Sequence, residues 1–94
     1  MADLPRAGRE FFHWPISGLP ADAGALELFI AGGWHPVTIA TDQASFSLLL
    51  QGPLAPTDEP TAVVVPIDQS DMRVRLTDSP EIVIRTAGYI RLTD

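Results

Sequence analysis

Two histidines, His13 and His35, are the only imidazoles in a chain of 94 residues. Neither stands at a metal-ligand spacing such as HExxH. His35, between Trp34 and Pro36 at a strand start, reads as an ordinary surface or hydrogen-bonded histidine. Ser17-Gly18 and Ser79-Pro80 are turn serines without a nucleophile-elbow pattern, and the glycines form neither a GxGxxG nor a Walker loop. Carboxylates pair at Asp58-Glu59, at Asp68 with Asp71, and at Asp78 with Glu81. Two carboxylates facing a cleft would serve glycoside hydrolysis. Loop carboxylates would alternatively hold calcium, which takes roughly six to eight oxygen ligands. The plainer reading is solvated turn acids. The absence of cysteine removes disulfides, thiolate catalysis and cysteine-based zinc sites together. The expectation is a protein with no catalytic residues, no cofactor and no metal.

Charge says more through its distribution than through its total. Six arginines, no lysine and twelve carboxylates leave a net charge of -6, which argues against nucleic acid as a partner because phosphate binding needs cationic surface. Residues 1–9 carry Asp3, Arg6 and Arg9 (net +1), residues 10–72 carry eight acids and no base (-8), and residues 73–94 carry four arginines against Asp78, Glu81 and Asp94 (net +1). A block of this kind is either a solvated surface or one complementary to a second copy or another partner. Apolar residues make up 46% of the chain without a run long enough to span a bilayer, so no membrane is expected. MADLPRAGREFFHWP has no apolar core of the secretory-signal kind.

The elements that must position these residues read as strands. Nine prolines and seven glycines leave little room for a helix of typical length. From Asp71 to Thr77, Met72, Val74 and Leu76 alternate with Asp71, Arg73, Arg75 and Thr77, the period-two pattern of a strand with one buried face. A turn at Asp78-Ser79-Pro80 leads to a second strand, Glu81 to Thr86, with Ile82 and Ile84 on one face. Ala87-Gly88 breaks it, and Tyr89 to Thr93 turns Ile90 and Leu92 inward. The expectation is a three-strand meander with Arg73, Arg75, Arg85 and Arg91 on its outer face. Upstream, Ala25 to Ala31 and Trp34 to Ala40 flank Gly32-Gly33, a hairpin signature because primed turns need positive φ. Thr61 to Pro66 is a β-branched run suited to a buried strand, and Gly52 to Pro60 is a loop. Between Thr41 and Gly52, Asp42 could cap a short helix, but Phe46 to Leu50 fits a strand better among strand neighbours. Six to seven short strands at regular spacing describe an all-β fold, a small immunoglobulin- or fibronectin-like β-sandwich, with a small barrel as the alternative.

The first 24 residues differ. Phe11, Phe12 and Trp14 place three of the seven aromatics within four positions. Residues 10–17 suit the first strand of a domain spanning 10–94, and residues 1–9 suit an extended N-terminal arm docking on another subunit. Aromatic side chains anchor binding hot spots and fill cores alike. The four-residue run Arg75-Leu76-Thr77-Asp78 recurs as Arg91-Leu92-Thr93-Asp94, which two equivalent strands would produce.

The C-terminal stretch Met72-Arg73-Val74-Arg75-Leu76-Thr77-Asp78-Ser79-Pro80-Glu81-Ile82-Val83-Ile84, followed by Ala87-Gly88-Tyr89-Ile90-Arg91-Leu92, resembles the ending of small structural proteins from tailed bacteriophages of actinobacteria. Trp34-His35-Pro36 matches a Trp-His-Pro found in the first third of those chains. Val83 departs from the resembling pattern, which often has proline there. The resemblance implies a virion component, assembled in the host cytoplasm, that decorates the capsid or sits at the head-tail connector. Its implied partners are copies of itself and major capsid or neck proteins. Phe11, Phe12 and Trp14 would be the apolar anchors, and Arg73, Arg75, Arg85 and Arg91 would meet acidic neighbours. A fibronectin-like module binding a carbohydrate or peptide through Trp34 and Tyr89 is the competing expectation.

Overall fold

A computed structural model describes residues 2–16, 25–42, 44–78 and 81–94, apart from the side chain of Asp78. Among these the chain forms nine strands: β1 (Ala2–Pro5), β2 (Arg9–Pro15), β3 (Leu26–Ile30), β4 (Gly33–Pro36), β5 (Thr38–Ile39), β6 (Ser45–Gln51), β7 (Val63–Val64), β8 (Gln69–Asp78) and β9 (Glu81–Thr93). They make two sheets, one ordered β1-β9-β8-β3-β4 and one ordered β2-β6-β5 with β7 also on β6. The fold is a small all-β sandwich. The structure adds β1, which was not expected, splits the expected Trp34–Ala40 strand into β4 and β5, and shortens the expected buried strand at Thr61–Pro66 to Val63–Val64, of which Val64 is exposed while Val65 beyond it is buried.

Period-two alternation places the core between the sheets. Leu26, Leu28 and Ile30 of β3, Met72 of β8, Ile90 and Leu92 of β9 and Leu4 of β1 are buried on the larger sheet, and Phe46, Leu48 and Leu50 of β6 face them with Val65. Phe12, Trp14 and Ile16 pack against this cluster from the smaller sheet. Burying a Leu, Ile or Phe side chain contributes about 1.5–3 kcal/mol against chain entropy, so these positions carry the fold.

Residues 2–9, read as part of an arm, are continuous with this core. β1 runs parallel to β9, pairing Ala2 with Ile90 and Leu4 with Leu92, and the Leu4 side chain is fully buried. The Arg6 N–H donates to Thr93 O at 2.7 Å and the Gly8 N–H to Pro5 O at 2.9 Å, turning the chain from one sheet into the other. Gly52 closes this corner. Its N–H donates to Gly8 O, and the Leu54 N–H donates to Arg6 O, both at 2.9 Å. A Cβ on Gly52 would stand 2.2 Å from Arg6 O.

Three local expectations are refined. Ile30 pairs with Gly33, so the two-residue turn is Ala31-Gly32, at φ of 53° and 81°, rather than Gly32-Gly33. The Gln69 Oε1 accepts the Ala31 N–H at 3.0 Å and steadies a conformation that costs a non-glycine residue about 1 kcal/mol. The run from Trp34 to Ala40 is two strands in different sheets, because Pro36 cannot donate to the ladder and the chain changes sheet at Val37. Residues 42–51 form no helix among the described positions: the Asp42 side chain accepts the Ala44 N–H at 3.0 Å in a turn that feeds β6.

The meander is a correction. β8 and β9 form one long hairpin, and Ala87-Gly88 bends β9 without ending it. Met72 pairs with Gly88 but Arg73 pairs with Thr86, leaving Ala87 of β9 as an extra residue, a β-bulge, and a second shift between Gln69 and Met72 puts the extra residue on β8 and restores the register at Gln69 and Ile90. Gly88 adopts φ 119° there, a backbone state essentially reserved to glycine. One extra residue moves every later side chain to the opposite face. Ile90 and Leu92 therefore point into the core while Ile82 and Ile84 point out, 63% and 44% exposed. Ser79-Pro80, Ser17-Gly18 and the remainder of 17–24 lie outside the described residues.

Candidate functional site

The residues with catalytic potential are dispersed. His13 is exposed on β2 opposite Ser47, and His35 is half-buried on β4 opposite Leu28. Among the described residues no three His, Asp or Glu side chains gather to hold a metal. The paired acids are absorbed locally. Asp58 accepts a hydrogen bond from Arg9, and that bond and the guanidinium charge hold its carboxyl below the usual range. Glu59 accepts from the Thr61 hydroxyl at 2.7 Å, which lowers its pKa in the same way. Asp68 Oδ1 accepts the Leu92 N–H at 2.9 Å and its Oδ2 accepts the Tyr89 hydroxyl at 3.3 Å. Desolvation, then the Asp68 charge, raises the Tyr89 phenol above its ordinary value. Asp78 and Glu81 are paired across the hairpin. A shallow open cleft lined by Arg6, Pro66, Ile67, Asp68 and Leu92 holds no nucleophile.

The three aromatic anchors expected near the N-terminus separate. Strand alternation turns Phe12 and Trp14 inward, where Trp14 stacks on Phe46 with centroids 5.1 Å apart, and turns Phe11 outward, 61% exposed. Of the three, Phe11 is the exposed side chain, and Phe12 and Trp14 are partly buried against the core.

The arginine ladder also divides, for the reason that placed the bulge. Arg73 and Arg75 share the outer face of the larger sheet with Thr86 and Ile84, whereas Arg85 pairs with Val74 and shares the inward side. Arg91 lies on β9 past the bulge, beside Asp3 of β1, and donates to its carboxylate at 3.2 Å. Charge segregation along the sequence is folded back on itself: Arg6 meets Asp94 at 2.8 Å and Arg75 meets Glu27 at 2.7 Å, while Arg9 reaches Asp58. Exposed pairs such as Arg6–Asp94 contribute only about 0–1 kcal/mol each, whereas Arg75–Glu27 is half-buried on both sides. Among the described residues no carboxylate lies within salt-bridge distance of Arg85, whose guanidinium donates to Ile84 O at 3.0 Å.

The geometry assembles a face not recognised from the sequence. Across four strands, Trp34, Phe29, Arg73 and Thr86 form one row, and Pro36, Glu27, Arg75 and Ile84 the next. Phe29 meets Trp34 edge-on with centroids 5.3 Å apart. The Arg73 guanidinium lies 4.6 Å from the Phe29 centroid, and Arg75 lies 4.2 Å from that of Trp34. Such contacts are worth about 0.5–2 kcal/mol, rising as water is excluded. The Arg73 Nε is buried without a hydrogen-bond partner, 3.8 Å from Asp71 Oδ1. Two cations are thus partly desolvated on aromatic rings, beside the exposed Ile82 and Ile84. The Trp34 ring that a sugar would stack on is covered on one side by Arg75. The available signal for this face was Phe29, alternating out of step with Leu26, Leu28 and Ile30.

No family model, curated protein or solved structure matches the chain. Among the described residues no helix is long and apolar enough to cross a membrane.

Proposed function

We propose that the chain is a non-enzymatic structural protein of a tailed-bacteriophage virion, seated on the capsid surface or at the head-tail connector. The observation that carries this reading is the outer face of the larger sheet. Its aromatic and arginine rows, flanked by exposed Ile82 and Ile84, give the apolar-plus-Arg composition of interface cores. Assembly requires a rigid domain with such a surface and no reacting centre. The resemblance of the 72–92 stretch to phage structural proteins points to the same class.

The test is incorporation. The chain is produced together with the head and neck proteins of its phage, and particles are purified by sedimentation. The chain is expected to travel with the particles, and the Trp34→Ala variant, folded by circular dichroism, is expected to be depleted from them. A folded wild-type chain that never accompanies particles overturns the proposal. Glycan binding that Trp34→Ala abolishes, without incorporation, would favour a binding module instead.

A further inference from the structure

β9 leaves an open edge. β1 covers it only from Ile90 to Thr93, so among the described residues Glu81 to Tyr89 has a partner on the β8 side alone. The direction of the free backbone groups follows from one hydrogen bond. The Thr77 N–H donates to Ala25 O, away from β9. N–H and C=O groups alternate sides along a strand, so those of Leu76 point to β9, and those of its partner Val83 point back to β8. Ile82 and Ile84 are left aiming their N–H and C=O groups outward.

An uncovered edge of this composition is unusual. Natural edges are blunted by charged side chains, lysine above all, by proline or by bulges; Glu81-Ile82-Val83-Ile84-Arg85 has neither lysine nor proline, carries its charges only at the two ends and in opposite sign, and its middle is a β-branched run of high strand propensity. The β2 edge, by contrast, ends in Pro15, and the β4 edge in Pro36.

The five residues are also self-complementary. When the segment lies antiparallel to a copy of itself about a two-fold axis at Val83, Glu81 faces Arg85 of the other copy, Ile82 faces Ile84, and Val83 faces Val83. The remaining two pairs follow by symmetry. Ile82 and Ile84 supply the cross-strand hydrogen bonds, their four side chains meet on the outer face, and both charge pairs are of opposite sign. Shifting the register by two residues, to an axis at Ile84, sets Arg85 against Val83 and Glu81 against Ala87 and loses both charge pairs, and shifting it by four, to an axis at Arg85, sets the two arginines against each other. In the dimer Arg85, with no carboxylate beside it among the described residues, gains Glu81 of the second copy as its partner.

We propose that a second copy of this chain docks on the Glu81–Arg85 edge of β9 by antiparallel strand addition, joining two five-stranded sheets into one continuous sheet. This isologous contact deepens the assembly role proposed above by naming the second copy as partner.

The test is the oligomeric state of the full chain by sedimentation equilibrium over a wide concentration range. Wild type is expected to be a dimer at high concentration. Ile84→Pro removes an outward N–H that the chain's own sheet does not use, and is expected to stay folded and become monomeric. Glu81→Arg and Arg85→Glu are each expected to weaken the dimer about tenfold or more, because they oppose like charges. The double variant Glu81→Arg/Arg85→Glu, which restores both pairs in reversed sense, is expected to recover most of the affinity. A wild-type monomer at every concentration, an unaffected dimer in folded Ile84→Pro, or a double variant no better than the singles each overturns the proposal. Particle incorporation is scored separately: a monomer that still enters particles removes the dimer and keeps the virion role, and a dimer that never enters particles does the reverse.

Discussion

At the residue scale, two glycines do what no other residue does, for different reasons. Gly88 supplies a φ of 119°, whereas Gly52 supplies room: its missing side chain lets the Arg6 carbonyl approach the backbone that links β6 to the loop after it. Gly52→Ala is expected to cost roughly 2–4 kcal/mol in urea unfolding, since the added Cβ would strike backbone that cannot rotate away. Ala in place of Gly33, whose Cβ would meet only His35 Nε2 at 3.7 Å, is the matched control with a small effect. Composition gave no warning of Gly52, because a close approach joins residues far apart in the chain.

At the element scale, the deciding feature is the bulge in β9. A strand read in isolation turns Ile82, Ile84, Ile90 and Leu92 to one side, and this is how apolar periodicity presents them. The extra Ala87 breaks the phase, so half of that apolar set goes to the surface and the four arginines divide between faces. Gly88→Val is expected to lower stability by about 1–3 kcal/mol through an unfavourable φ, read as a drop in melting temperature. Thr86→Val on the same strand, at an exposed position, is expected to change little. The strands themselves were legible from period-two alternation in 71–77 and from the Gly-rich turn after Ile30. Boundaries near β5 and β7 were not, because two-residue strands are defined by their partners.

At the scale of the whole molecule, the N-terminal residues belong to the folded unit. Leu4→Ala is expected to destabilise the domain by about 2–5 kcal/mol, the range for emptying a buried leucine site; a loss below about 0.5 kcal/mol in chemical unfolding would mean that residues 2–5 are detached in solution. The same closure explains the charges. Arg6 and Asp94, or Asp3 and Arg91, are 88 positions apart, yet the parallel pairing of β1 with β9 makes them neighbours. Surface charge is consequently more evenly mixed than the -8 middle and its two +1 ends suggest.

The sequence by itself determined the class of fold, through alternating apolar positions and frequent turn residues, and it determined the absence of cysteine chemistry. It also holds, in Glu81 to Arg85, the order of charges and β-branched residues that makes an edge self-complementary. Only the tertiary structure decided which of those strands is an edge, which side of it faces water, and which aromatics are spent on the core. Those outcomes depend on strand order and on the bulge at Ala87, and both are set by contacts between distant segments that local periodicity does not encode.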